Sequence, residues 1–139
     1  MKTLPTPNDP RYSSQYGPPM MGFPAAWDAV GFGSSNVIVG LVDSGVLASH
    51  EDLAGHLLPG HDYISNDDIP DDTCGHGTHT AGILGAAANN SLGVTGMSQD
   101  TILPMKALAM STGLFSSGCS GSYTGIASAT YDATDPHAR

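Results

Sequence analysis

At 139 residues the chain is one domain at most, able to bury roughly two-thirds of its unfolded surface. Charged residues make up 12% and are lopsided, 4 basic against 13 acidic, for a formal net charge of -9. That excess disfavours nucleic acid and anionic membrane surfaces as partners. It suits cations instead, above all where seven acids fall between Glu51 and Asp72.

The string TLPTPNDP directly after Met1-Lys2 lacks the apolar core of a secretory signal, and no apolar run reaches bilayer-spanning length. Residues 1–22, rich in Pro, Ser and Gly, read as an extended arm. PAAWDAVGFG predicts a short helix, with Pro24 in its first turn and Gly31 as its stop. NVIVGLVDSG is a near-continuous apolar run ending on Asp43-Ser44-Gly45, the pattern of a central strand in a parallel sheet. HLLPGHDYI is a weaker second strand, followed by a polar loop from Ser65 to Cys74. From Thr78 to about Ala88, small apolar residues favour a buried helix despite Gly82 and Gly85. TILPMKAL is a third strand, weakened by Pro104. After a Gly/Ser-rich loop, Tyr123, Ile126, Ala127, Thr130 and Tyr131 keep helical spacing to about Thr134. The order of strands and helices predicts an α/β fold, a parallel sheet flanked by helices. Cys74 and Cys119 permit one disulfide without fixing the compartment.

The stretch DDTCGHGTHTAGILG, Asp71 to Gly85, admits three readings. It is a helix start with incidental histidines; or Cys74, His76 and His79 are zinc ligands; or a histidine at a helix N-terminus is a general base. The positive end of the helix dipole disfavours imidazolium and keeps such a base neutral. A base of that kind needs an acid on its other ring nitrogen. Asp43, at the carboxyl end of a buried strand, sits where α/β sheets place functional groups.

VIVGLVDSGV followed by GHGTHTAG resembles the aspartate and histidine signatures of the subtilisin-like serine peptidases, the subtilases. PNDPRYSSQYGP, AAWD, HEDLAG, AAANNSLGVTG and SGCSGSYTGIASA also fall in that family's order, so the resemblance spans essentially the whole chain. It implies that Asp43 and His76 are the acid and base of an Asp-His-Ser triad hydrolysing peptide bonds, with His79 a neighbour one turn on. Gly75 and Gly77 would let backbone crowd the site. The family's Gly-Thr-Ser-Met-Ala nucleophile motif is absent from these residues, so the chain reads as the N-terminal portion of a subtilisin-like catalytic domain, expected to be inactive alone. Ser120 in GCSGS has the right order for a nucleophile but the wrong motif, and reads as part of a Gly/Ser loop.

The resemblance implies further sites. A calcium ion would take the carbonyls of Ala88, Leu92 and Val94, the Asn90 side chain, and the carboxylates of Asp52 and Asp9. A second cation site would use Asp62, Asp67, Asp71 and the Ile69 carbonyl from DYISNDDIPDD, a string that reads equally as a solvated acidic loop. Cys119, Ser120 and Gly121 would form an edge that pairs with extended substrate backbone. Tyr123 would line a distal subsite, or pack in the core. A Cys74–Cys119 disulfide would brace the cleft wall, by about 3–4 kcal/mol in the chain-entropy account; free thiols are the alternative. The family further implies an extracellular, monomeric enzyme when full length, acting on polypeptide substrates. The rival from another class is a non-catalytic truncated module that binds peptide or metal.

Overall fold

A computed structural model describes residues 4–112 and 117–135. Its helices and strands, in chain order, are α1 (Gly17–Met20), α2 (Phe23–Val30), β1 (Ile38–Asp43), β2 (His61–Asp62), α3 (His76–Gly85), β3 (Thr101–Lys106), β4 (Ala109–Thr112), β5 (Ser117–Ser120) and α4 (Tyr123–Thr134). The α/β order is as the pattern predicts, and β1, β3 and β2 form a wholly parallel sheet. A separate antiparallel pair, β4 and β5, precedes the last helix. Part of the Gly/Ser-rich loop, residues 113–116, lies outside the described residues. Among the described residues no helix is long and apolar enough to cross a membrane.

Among the described residues β3 lies between β1 and β2 in the sheet. Despite Pro104, β3 pairs with β1 in full register from Ile38 opposite Thr101 to Asp43 opposite Lys106. The proline is tolerated because of where its missing N–H would point. The Thr101 N–H donates towards β1, to Val37, whereas Ile102 exchanges backbone hydrogen bonds with His56 and Leu58 on the other side. Alternation sends the Pro104 nitrogen to that second side, where Pro59-Gly60 interrupts the neighbouring strand. The same interruption reduces the expected strand HLLPGHDYI to an isolated bridge at Leu57 and the two residues of β2. On its outer edge β1 has no partner among the described residues, and Ile38 stays 57% exposed.

Alternation along β3 also splits the core into two layers. Ile102 faces α3 and packs with Val46, Leu53 and Ala81, flanked by Leu41, Leu57 and Leu84. Leu103 and Met105 face α4 and pack with Ala107 and Ala129, flanked by Val42, Ile126 and Ala133. The buried stripe of α4 is thus Ile126, Ala129 and Ala133. Of the residues expected to mark it, Tyr123 and Tyr131 are 95% and 65% exposed. The close approach of α4 to Gly40 of β1 favours the alanine face, where a tyrosine would not fit.

The arm is not simply extended. It forms a 3-10 turn at Tyr12–Ser14 and then α1, whose Pro18 lies in the first turn with φ already set for a helix. Gln15 grips Thr95 twice, its amide donating to the carbonyl at 2.9 Å and accepting the N–H at 2.8 Å. Trp27 of α2 stacks on Phe32 with centroids 4.6 Å apart, and its indole N–H donates to the Met97 carbonyl at 2.9 Å. These contacts fix the arm and α2 to the loop that feeds β3.

Ile102 has no exposed surface and joins the sheet to α3. Ile102→Ala should therefore cost about 2–5 kcal/mol in chemical denaturation, whereas Tyr131→Ala should stay within about 0.5 kcal/mol.

Candidate active site

The chain ends β1 on Asp43, a residue only 6% exposed, at the carboxyl edge of the sheet. Its backbone carbonyl accepts the N–H groups of Ala107 and Leu108, which pins this strand end to the end of β3. The carboxylate Oδ1 accepts the Ser44 N–H at 2.6 Å. His76 opens α3, and its Nδ1 lies 2.8 Å from Asp43 Oδ1 and 3.0 Å from Oδ2. A carboxylate only accepts, so the proton of the neutral ring resides on Nδ1 and Nε2 is left with a lone pair. The Asp43 hydrogen bond and then its charge raise the His76 pKa; desolvation opposes them, and the Asp72 charge adds the smallest upward push.

The expected helix starts two residues earlier than its apolar pattern and ends earlier, at Gly85. The early start is local chemistry. Gly75 caps α3 at φ 85°, a left-handed conformation that glycine adopts without strain. Gly77 allows close approach, since a Cβ there would collide with the Gly45 carbonyl just past Asp43. The free N–H groups of the first turn then find a side-chain acceptor outside the helix. Asp72 accepts from the N–H of Cys74 at 2.9 Å, Gly75 at 2.8 Å and Thr78 at 2.9 Å, and from the Thr78 hydroxyl at 2.6 Å. It also accepts the Ser44 hydroxyl at 2.8 Å. Ser44, fully buried, in turn accepts the Gly77 N–H at 2.9 Å. Burial works to raise the Asp72 pKa, but the Thr78, Cys74 and Ser44 hydrogen bonds outweigh it and bring the value down to about 2.

Ser44, Asp72 and Thr78 were not among the residues that the sequence singled out. The available signal was an acceptor side chain shortly before a helix start; it was masked by the acidic run in which Asp72 lies.

Cys74 and Cys119 form a disulfide with Cα atoms 6.2 Å apart, tying the approach to α3 to strand β5. A bonded Cys74 has no thiolate to offer, which removes the zinc reading of Cys74, His76 and His79. Among the described residues no three His, Cys, Asp or Glu side chains gather as a metal-binding group. Ser120 lies in β5 opposite Ala109 of β4, and Gly121 follows it with its Cα against the Ala107 carbonyl. Among the described residues β5 pairs with β4 alone, which leaves its other edge open. Tyr123, at 95% exposure, is no core residue and opens α4, three residues past the end of β5. His79 is exposed and lines an open apolar groove of about 880 Å³ between the arm and α3. Neither Asp43 nor His76 borders that groove.

The proposed calcium donors converge in part. Asp9 and Asp52 are 4% and 3% exposed, and neither has an ion-pair partner among the described residues. Both reach the same loop: Asp9 accepts the N–H groups of Asn89 and Asn90 at 2.9 and 3.1 Å and the Thr95 hydroxyl. Asp52 accepts the Asn90 side-chain amide at 2.8 Å and the Val94 N–H at 2.9 Å. The carbonyls of Ala88, Leu92 and Val94 accept no hydrogen bond among the described residues. Two buried anions around one asparagine, with free carbonyls on the same loop, fit a hard oxygen-seeking cation. The second set is differently engaged. Asp62 is 1% exposed, pairs with Lys106 at 2.8 Å, and accepts the N–H groups of Ile64 and Ser65. Asp67 accepts the Ile69 N–H at 2.9 Å, and Asp71 is exposed.

Comparison with known proteins agrees with this frame. Residues 34–139 match the model of the subtilase family. Thermitase of Thermoactinomyces vulgaris is 40% identical over 136 residues, covering 96% of this chain and 46% of that protein. The thermophilic serine proteinase of Bacillus sp. (strain AK1) is 45% identical over 105 residues, covering 74% of this chain and 26% of its own length. The halolysin-like extracellular serine protease Nep of Natrialba magadii is 35% identical over 115 residues, 77% of this chain and 21% of that one. The chain thus spans about half the length of the first of these relatives, and less of the others.

The depressed Asp72 pKa carries a signed consequence. A folded value of about 2 against a reference of 3.8 means stability that is fully present above the unfolded value and lost as pH falls towards 2. Asp72→Asn should flatten that part of the acid limb in denaturation midpoints compared at about pH 5 and about pH 2.5. An unchanged acid limb would show that Asp72 does not carry it.

Proposed function

The chain belongs to the subtilase family, and from that premise we propose that it supplies the acid and the base of a serine endopeptidase. The observation that carries this reading is the Asp43–His76 contact, with Nδ1 held by the carboxylate at 2.8 Å and the other ring nitrogen directed away from it. In this scheme neutral His76 takes the hydroxyl proton of a serine as that oxygen attacks a peptide carbonyl. The resulting imidazolium is stabilised by Asp43 and then gives its proton to the leaving amine. The family's Gly-Thr-Ser-Met-Ala motif is not among the 139 residues, so the serine is assigned to sequence outside them.

The open edge of β5 at Cys119, Ser120 and Gly121 supports binding of an extended polypeptide substrate through its backbone, with exposed Tyr123 alongside. A site of action outside the cell accords with the disulfide and with the extracellular relative of Natrialba magadii. Calcium would be held by Asp9, Asp52, Asn90 and the carbonyls of Ala88, Leu92 and Val94. Its charge would neutralise two buried carboxylates and lock the arm onto the 88–95 loop.

Two outcomes test these assignments. In the complete protein, Asp43→Asn should lower kcat on a peptide substrate about ten-thousand-fold. Activity in the unaltered protein should be blocked by a serine-directed phosphonate; an Asp43→Asn enzyme of undiminished kcat would overturn the triad reading. For calcium, saturating the site at about a hundred times Kd should stabilise the fold by about 2.7 kcal/mol. Asp52→Asn should abolish that calcium-dependent part of the melting shift, and a melting curve indifferent to chelator would rule the site out.

A further inference from the structure

We propose that Asp72 is the positioning residue of the Asp43–His76 couple: one carboxylate holds the end of β1 and the start of α3 at a fixed separation. The inference rests on the reading of Asp43 and His76 as acid and base, and extends it to a residue that touches neither ring nor substrate edge.

The geometry is that of a clamp. Ser44 follows Asp43 directly, and its hydroxyl donates to Asp72. On the other side, Cys74 and Gly75 lead into His76, and both N–H groups donate to Asp72. Gly77 follows His76 and is held by Ser44, one hydrogen bond removed from Asp72. Thr78 adds two donors from the first turn of α3, and its hydroxyl accepts the Leu47 N–H at 3.0 Å, which ties the loop after β1 a second time. Five hydrogen bonds thus converge on one carboxylate from both sides of the couple. Asp43 and His76 lie 33 residues apart, and the residues flanking each, Ser44 on one side and Cys74, Gly75 and Gly77 on the other, are bound to the Asp72 carboxylate or to a hydroxyl it holds. An acid–base couple tolerates about 0.5 Å of misplacement, so a clamp on flanking backbone has a direct effect on the contact it frames. A purely structural helix cap would have needed only the donors of α3. The Ser44 bond is what links it to Asp43.

The test is NMR of the labelled protein, following exchange of the His76 Nδ1 proton with solvent and the midpoint of the His76 titration, beside the melting temperature. Asp72→Asn keeps the side-chain shape and should speed Nδ1 proton exchange about tenfold or more, because charge-assisted hydrogen bonds on both sides of the couple are weakened. It should also lower the titration midpoint, since one of the two carboxylates that stabilise the imidazolium, Asp43 and Asp72, is then neutral. Thr78→Val retains the Asp72 charge but removes the hydroxyl's bond to Asp72 and the one it accepts from Leu47; it should speed exchange less, and Thr78→Ser should restore protection. Asp68→Asn, which removes an exposed carboxylate paired with His61, is the charge-loss control and should change neither quantity. If Asp72→Asn and Thr78→Val only lower the melting temperature, with exchange and midpoint as in the unaltered protein, Asp72 is a helix cap and the proposal falls. If Asp72→Asn does not fold, the Thr78 pair decides by the same criterion. Asp43→Asn separates the layers: were it to leave the His76 midpoint unmoved, the acid–base reading itself would fail, whatever Asp72 does.

Discussion

The contact between a strand-end carboxylate and a helix-start imidazole is the constraint around which this chain is arranged. Asp43 is fixed by the parallel sheet, because its own carbonyl is bound to the residues that follow β3. His76 is fixed by α3, and α3 lies where Ala81 can meet Ile102 on the sheet face. Two core layers and a glycine-lined approach therefore converge on a separation of 2.8 Å. A shift of the helix by one residue would turn the ring through about a hundred degrees and lose the contact.

Much of this frame is legible in the sequence because it is written in small, local rules. An apolar run stopping on Asp-Ser-Gly marks a strand end, and Gly-His-Gly-Thr-His marks a crowded helix start. The family resemblance joins the two. What the pattern hides is order within the sheet. Pro104 weakens the run 101–108 as a strand, yet among the described residues that strand is paired on both sides, because its missing donor falls where Pro59-Gly60 has already broken the neighbour. Helical spacing likewise selected the tyrosine stripe of α4, while packing against Gly40 selected the alanines. Periodicity gives a stripe; only the opposing surface says which side chain fits.

Polar connectivity was the least legible. Asp72 sits in a run of acids that reads as solvated charge, and Asp62 in the same run is buried against Lys106. Asp62 depends on Lys106, and the Asp72 link to β1 on Ser44, partners far along the chain that no local window contains. The net charge of -9 conceals this division. Some carboxylates face water, while Asp9, Asp43, Asp52 and Asp62 are buried and each is matched to specific donors.

The way the arm is held has a consequence for assembly. Asn8, Asp9 and Gln15 bind residues 89–95, eighty or more positions later. Loop closure over that span must precede the reward of any of these bonds. During synthesis the arm thus emerges some eighty residues before its partners, and waits for the turn after α3 to be made. Contacts of such separation make the arm a latch over the 89–95 turn, one that can close only once that turn has formed.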